Sequence, residues 1–335
     1  MNKPKRQHHV IPRLYLKGFV INPGEPFIWV YKRGEGYKSG TGKLTNNPFK
    51  DSINSAGSER DYYSNPGQPG REGYETFENE LEALEKPANP IWNKIRSGQA
   101  ISEAEKNDFA AYMIHLSRRV SAGRDLTNAM WPGIAEDYEP PDELYQLKCW
   151  PKTPETRLRL KAEVKAITQK PGHAIQMHRG TVLAGPESLM VEALKMMTWH
   201  IFKAPAGHAL LTGDNPVFYD MGFGLASSFA DVSLPLSTDL ALVASWWKLT
   251  DQQFAEVAPA VVEEINRRTI HSASKHLYFS KSEEWVTALF GRADYKYRPM
   301  YSPQSNFKVV ELVSAGPNCK PSLKLNVQLP LIPQF

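Results

Sequence analysis

Thr212-Gly213-Asp214-Asn215-Pro216-Val217-Phe218-Tyr219-Asp220, TGDNPVFYD, is where the pattern of this chain turns from helical to extended. Upstream, from about residue 77, apolar residues recur at helical intervals; downstream, from Leu225 to Leu249, β-rich runs alternate with breaks at Pro235 and Asp239. The stretch itself reads as a strand, His208 to Leu211, entering a turn, because Asp and Asn side chains bond their own backbone and proline fixes the exit. Near the amino end, Pro26 to Lys32 (PFIWVYK) is dense in aromatic and β-branched residues, and Gly34 and Gly36 punctuate it as in an early hairpin. With strands at both ends and helices between, the expected fold class is α+β, a helical central region with antiparallel strands from the N-terminal and C-terminal parts.

The helices announce themselves by caps and stripes. Phe77, Leu81, Leu84, Ala88, Trp92 and Ile95 share a helical spacing that Pro87 and Pro90 should bend or split. Ser102 with Glu105 is a capping-box signature ahead of the stripe Phe109, Tyr112, Leu116, Val120. Thr153-Pro154-Glu155 opens a helix to about Gln169, Pro186-Glu187 another to about Ile201, and Pro259 a last one to about Ser274, followed by a strand from His276 to Ser280. Asn46 to Gln68, around Arg60-Asp61-Tyr62-Tyr63-Ser64, reads as an irregular surface loop. Pro132 to Pro154 carries five prolines and reads as a long connection, so one domain over residues 1–335 is expected, with a weaker point near 150 where the alternative splits the chain. Residues 308–335 read as an extended tail.

Composition excludes several classes. At 41% apolar and 23% charged residues the chain is globular in type, and no apolar run approaches the roughly 18 residues that span a bilayer. The N-terminus is basic but lacks the apolar stretch of a secretory signal, so no membrane partner and a cytoplasmic location are expected. Two cysteines, Cys149 and Cys319, belong to no CxxC pair, so no zinc-thiolate site is expected. P-loop, GxGxxG, GxSxG, HExxH and EF-hand patterns do not occur.

Three constellations carry candidate chemistry. The first is KRQHHVIPRLYLKGF, residues 5–19, where Lys3, Lys5, Arg6, Arg13 and Lys17 all precede the first acid, Glu25. In an extended segment His8 and His9 point to opposite faces, so one faces a pocket as base or metal ligand, or His9 packs in the core while His8 is solvated. The string is similar to toxin nucleases of the HNH class, but these need a further Asn and His from a short following helix, and the next histidine here is His115. The second is TGDNPVFYD, with Asp214 and Asn215 either as turn residues or, at a strand end, as a rigidly held base or ligand. The third is Asp108, His115, Arg118 and Arg119, which share a helix face; Arg118 either pairs with Glu85 of the preceding helix or grips an anion bidentately.

Taken together, QHHVIPRLYLKGF, RDYYS, LEALEKPANPIWNKI with Glu85, the His115-x-x-Arg118 pair, TGDNPV and NRRTIHSASKHLYFS resemble, in order over about residues 7 to 280, the family known as domain of unknown function 4238. Its members carry a His-x-Val-Pro-Arg-x-Tyr-Leu segment, a central Gln-x-x-Arg step and a Ser-Asp-Asn-Pro-Val turn. This chain has His115 where the family usually has glutamine and Gly213 where it usually has serine. The resemblance implies no activity.

The dispersed His, Arg, Asp and Glu residues are the inventory of a phosphodiester or other phosphoryl hydrolase, a nuclease or nucleotide hydrolase. The expectation is His9, with His8 beside it, as catalytic imidazole; Asp214 as catalytic carboxylate; Asp214 and Glu85 as ligands to Mg²⁺ or Mn²⁺; and Arg13, Arg118, Asn215 and His115 on an anionic substrate, a nucleic acid or nucleotide. The rival is a non-catalytic sensor or interaction module binding an anionic ligand or a protein through the basic N-terminus and Trp246-Trp247. Convergence of His9, Arg13, Arg118 and Asp214 in one cleft would favour the enzyme.

Overall fold

The computed structural model describes residues 7–34, 48–60, 62–63, 72–137, 139, 145–146, 148, 150–169, 173–184, 188–219, 225, 227 and 230–290. The amino-terminal part supplies β1 (Gln7–His9), α1 (Arg13–Leu16) continued by a 3-10 turn (Lys17–Phe19), β2 (Phe27–Lys32), β3 (Phe49–Ser52) and β4 (Ser58–Arg60). The helical centre holds α2 (Glu72–Glu85), α3 (Ala88–Arg96), α4 (Glu103–Arg119), α5 (Ser121–Asp137), α6 (Pro154–Thr168), α7 (His173–Leu183) and α8 (Leu189–Met196). The remainder is β5 (Thr198–Lys203), β6 (Thr212–Gly213), β7 (Phe218–Tyr219), β8 (Asp231–Pro235), β9 (Leu240–Ser245), β10 (Phe254–Glu256), α9 (Pro259–Ser272), β11 (His276–Phe279) and α10 (Glu284–Phe290). The class is α+β. No described helix is long and apolar enough to cross a membrane.

Several expected boundaries hold for the expected reasons. Ser102 accepts from the Glu105 N–H while Glu105 reaches back to the Ser102 N–H, and Thr153 caps α6 with Pro154 inside its first turn. The stripe Phe109, Tyr112, Leu116, Val120 is buried. Pro87 splits α2 from α3, whereas Pro90 lies in the first turn of α3, where its missing N–H costs nothing. Other boundaries differ. The helix expected to reach Ile201 stops at Met196, and Trp199, His200, Ile201 and Phe202 are buried as strand β5, since a fully buried strand lacks the alternation that marks a half-buried one. Residues 46–68 contain β3 and β4 rather than only loop. Residues 208–211 are not a strand, the Leu210 and Leu211 N–H groups being taken by Thr238 O and the Asn266 side chain. Helix α5 runs to Asp137, past Pro132, and α7 had no sequence signal strong enough to place it. The 308–335 tail, Cys149 and Cys319 lie outside the described residues.

Among the described residues the strands form three sheets. A five-stranded sheet runs β10-β5-β9-β8-β7, antiparallel except for the parallel edge pair β10 and β5. A ribbon pairs β1 with β4, setting His8 opposite Glu59 and His9 opposite Ser58. The four-stranded sheet β3-β2-β11-β6 joins the two ends of the chain, with His276 opposite Lys32 and Leu277 opposite Gly213. At Gly57, φ is +68° and a side chain would press on Ile11, while its carbonyl accepts from the Val10 and Ile11 N–H groups. Only glycine meets both demands.

Trp92 is the aromatic hub. Its ring, fully buried, lies edge-on to Tyr15, Phe109 and Tyr112 at centroid separations of 5.6, 5.0 and 6.0 Å, so α1, α3 and α4 share one packing site. From there the Tyr15 hydroxyl donates to Pro235 O at 2.8 Å and shares a 2.5 Å hydrogen bond with the Thr212 hydroxyl. Burial pushes that phenol far above its usual range. Tyr15 of the basic amino-terminal motif is therefore tied directly to the first residue of TGDNPVFYD. Tyr15→Phe leaves a buried hydroxyl and a carbonyl short of a partner and is expected to lower stability by about 1–3 kcal/mol, read as a reduced urea midpoint at unchanged slope.

Candidate functional site

Helix α9 ends at Ser272 and β11 begins at His276, leaving the helix's last carbonyls and the intervening N–H groups to find partners. The Asp214 carboxylate, buried at the end of β6, takes the N–H groups: Oδ1 accepts from Ser274 at 2.6 Å, and Oδ2 from Lys275 at 2.7 Å and His276 at 3.0 Å. The Arg33 guanidinium takes the carbonyls of Ile270, Ala273 and Ser274. Asn215 completes the clamp, donating through Nδ2 to Ser272 O and accepting from the Ser272 hydroxyl at its own carbonyl. Asp214 and Asn215 thus do not close a local turn; they reach across about sixty residues of sequence. A side-chain carbon at Gly213 would sit 2.9 Å from the Ala273 Cβ, which gives a physical reason for glycine where the resemblance leads one to expect serine.

On the solvent side of this clamp stands His276, a third exposed, with Nδ1 3.9 Å from Asp214 Oδ2. Burial lowers the His276 pKa, against the pull of Asp214; burial likewise raises Asp214, opposed by His276 and the three amides. The β2–β11 ladder sets Lys32 opposite His276. The neighbouring Lys275 ammonium lies 3.3 Å from Glu59 Oε1, and Glu59 also receives the Ser121 hydroxyl at 2.7 Å and faces Arg124 Nη2 at 3.7 Å from Oε2. Arg124 lies over the Tyr62 ring, 4.2 Å from its centroid. Residues from α5 and the α9–β11 turn therefore meet at Glu59 of β4, while the His276 imidazole beside Lys275 is backed by the buried Asp214 carboxylate.

The residues nominated from sequence are distributed differently. His8 is buried edge-on to Tyr63 at 5.7 Å, while His9 is half-buried and its backbone carbonyl accepts from Arg119. That reverses the expected packing of the pair. Arg13 is exposed and donates to Asn54 at 3.3 Å. Arg118 donates to Thr181 O at 3.2 Å and lies 3.8 Å from the Met190 sulfur, with burial lowering its pKa. Glu85 pairs with Arg119 instead of Arg118, and its Oε1 lies 3.9 Å from the His115 ring. His115, Glu85 and Arg119 do come together; the Arg13, Arg118 and Asp214 side chains serve three separate neighbourhoods. Nor do the proposed metal ligands fit a cation as they stand, since both Asp214 oxygens hold backbone amides and Glu85 holds a guanidinium. Among the described residues no group of three His, Cys, Asp or Glu is disposed to hold a metal. Trp246 is partly buried, bonding Leu225 O through its indole N–H, and Trp247 is exposed, a strand-end pair.

Sequence reading passed over Glu59, Arg124, Lys275 and His276. Two of them sit inside the quoted string NRRTIHSASKHLYFS, and the available signal was position: a Lys-His step at a helix-to-strand junction is held by the backbone on both sides.

Two further histidines give the protein an acid limit. His115 and His178 are both buried, and desolvation pushes each down to about 4, aided at His178 by the nearby Arg124 charge. Unfolded histidine binds its proton near 6.5, so the stability of the neutral buried rings is present above that pH and is lost as pH falls from about 6.5 to about 4, by up to about 3 kcal/mol for each ring. Urea unfolding between pH 7.5 and 4 is expected to show a falling midpoint across that window. A flat profile would contradict burial of the neutral forms.

A family model described as "Protein of unknown function (DUF4238)" matches residues 7–283. No curated protein and no solved structure matches the chain.

Proposed function

We propose, on the premise that this chain belongs to the family described as protein of unknown function (DUF4238), that it is a hydrolase of phosphoester bonds acting on an anionic ligand, with His276 as its acid–base group. The observation that carries this reading is the buried Asp214 carboxylate 3.9 Å behind a partly exposed imidazole, with Lys275 next to it in the chain and Lys32 opposite it in the sheet. Burial holds His276 below the ordinary imidazole range, so at neutral pH it is uncharged and able to accept a proton. In this reading water forms the new P–O bond as the bond to the leaving oxygen breaks. His276 takes the water proton and returns it to that oxygen, and Asp214 steadies the transient imidazolium. The lysine charges oppose the negative charge that builds on the phosphoryl oxygens.

The decisive comparison is turnover of single-stranded RNA, DNA and nucleotides by wild type, His276→Gln and His9→Ala. Loss of roughly 100-fold or more in His276→Gln, with His9→Ala near wild type, is expected. The reverse pattern would return the role to His9, and equal turnover by all three proteins would remove both. Asp214 is unsuited to this comparison, because removing a carboxylate that holds three amides costs about 3–5 kcal/mol in structure alone. A second reading, an anion-binding module without turnover, is favoured by the same 3.9 Å separation, which exceeds hydrogen-bond length. Binding of these ligands with no turnover by wild type supports it.

A further inference from the structure

Arg13 and Arg118, the cations nominated from sequence for an anion, are directed at Asn54 and at Thr181 and Met190. Beside His276 the situation is different. One carboxylate, Glu59, is shared among the Ser121 hydroxyl on α5, the Arg124 guanidinium one turn further along, and the Lys275 ammonium from the α9–β11 turn. We propose that Lys275 and Arg124 form a phosphate-binding pair beside His276, and that Glu59 occupies it in the resting protein as an internal stand-in for the anion. The assignment rests on the hydrolase reading for its purpose, though its geometry is independent of any turnover.

Three features point to displacement rather than to a fixed structural ion pair. The contacts are long for charge-assisted hydrogen bonds, 3.3 Å to Lys275 and 3.7 Å to Arg124, and the short one, 2.7 Å, goes to an uncharged hydroxyl. The three charged side chains are partly exposed, at 32% for Glu59, 25% for Arg124 and 55% for Lys275, and pairs so exposed contribute only about 0–1 kcal/mol each. Replacing such a carboxylate with a multiply charged phosphate therefore gains more attraction than it loses. Arg124 is steadied by its stacking on Tyr62, which presents a guanidinium edge rather than a free-swinging chain.

Calorimetric titration of the full-length protein with inorganic pyrophosphate at low salt tests this. Lys275→Gln and Arg124→Gln are expected to weaken binding by about tenfold or more, the worth of one charge-assisted contact. Glu59→Gln is expected to bind several-fold tighter than wild type, because the competing carboxylate is gone, and Arg13→Gln is expected to bind as wild type. Lys275 is exposed and its backbone amide stays on Asp214, so its variant keeps the question open should Arg124→Gln fail to fold. Absence of binding by wild type, wild-type affinity in Lys275→Gln, or binding by Glu59→Gln no tighter than wild type would each overturn the proposal. The two readings fail separately. Pyrophosphate binding with this variant pattern but no turnover of any phosphoester ends the hydrolase reading alone. His276-dependent turnover with unaltered binding by Lys275→Gln ends the phosphate pair alone.

Discussion

The seating of the Asp214 carboxylate on the Ser274, Lys275 and His276 amides is the constraint on which the rest of this structure depends. A helix that ends against a sheet leaves orphan donors and acceptors, and burying them without partners would cost several kcal/mol. Here the two signs are answered from two sides: a carboxylate from β6 takes the N–H groups, and a guanidinium at the end of β2 takes the C=O groups. Because β2 and β6 flank β11 in one sheet, the clamp and the strand ladder enforce each other. The consequence reaches the candidate chemistry directly. Lys275 and His276 cannot wander, since their own amide groups are the ones being held.

The same arrangement explains why the amino-terminal motif and TGDNPVFYD share a chain. Tyr15 bonds Thr212, the Gly57 carbonyl accepts from the Val10 and Ile11 amides, and Glu59, opposite His8 in the ribbon, reaches Lys275. Arg119 on α4 holds the His9 carbonyl while pairing with Glu85 on α2, so the helical centre is pinned to the ribbon through charge as well as apolar packing. Many polar residues that look functional in such motifs are thereby accounted for as long-range structural contacts. His276 is the exception, because its imidazole looks outward from the clamp while its backbone is part of it.

Buried ionisable groups account for much of the polar interior. Arg268 is held by Asp231 and Glu264, and His115 and His178 are kept neutral by desolvation. Such groups are stabilising only while their partners or their charge states persist. Packing therefore ties the fold to neutral or higher pH, the same range in which an uncharged His276 could accept a proton.

Alone, the sequence determined the α+β class, the Ser102 and Thr153 caps, the break at Pro87, the helix from Pro259 and the strand from His276, because these follow from interactions among residues three or four apart or from backbone geometry at proline. It also marked TGDNP and SASKHLYFS as important stretches. It did not reveal that they are two halves of one clamp. Only the tertiary structure decided that Asp214 would serve amides sixty residues away, that Glu85 would take Arg119 and leave Arg118 to other partners, and that Arg124 and Lys275 would meet at Glu59. Strand partners and charge partners are chosen by which distant segments can close a loop and bury a common face, and that competition leaves no periodic trace along the chain.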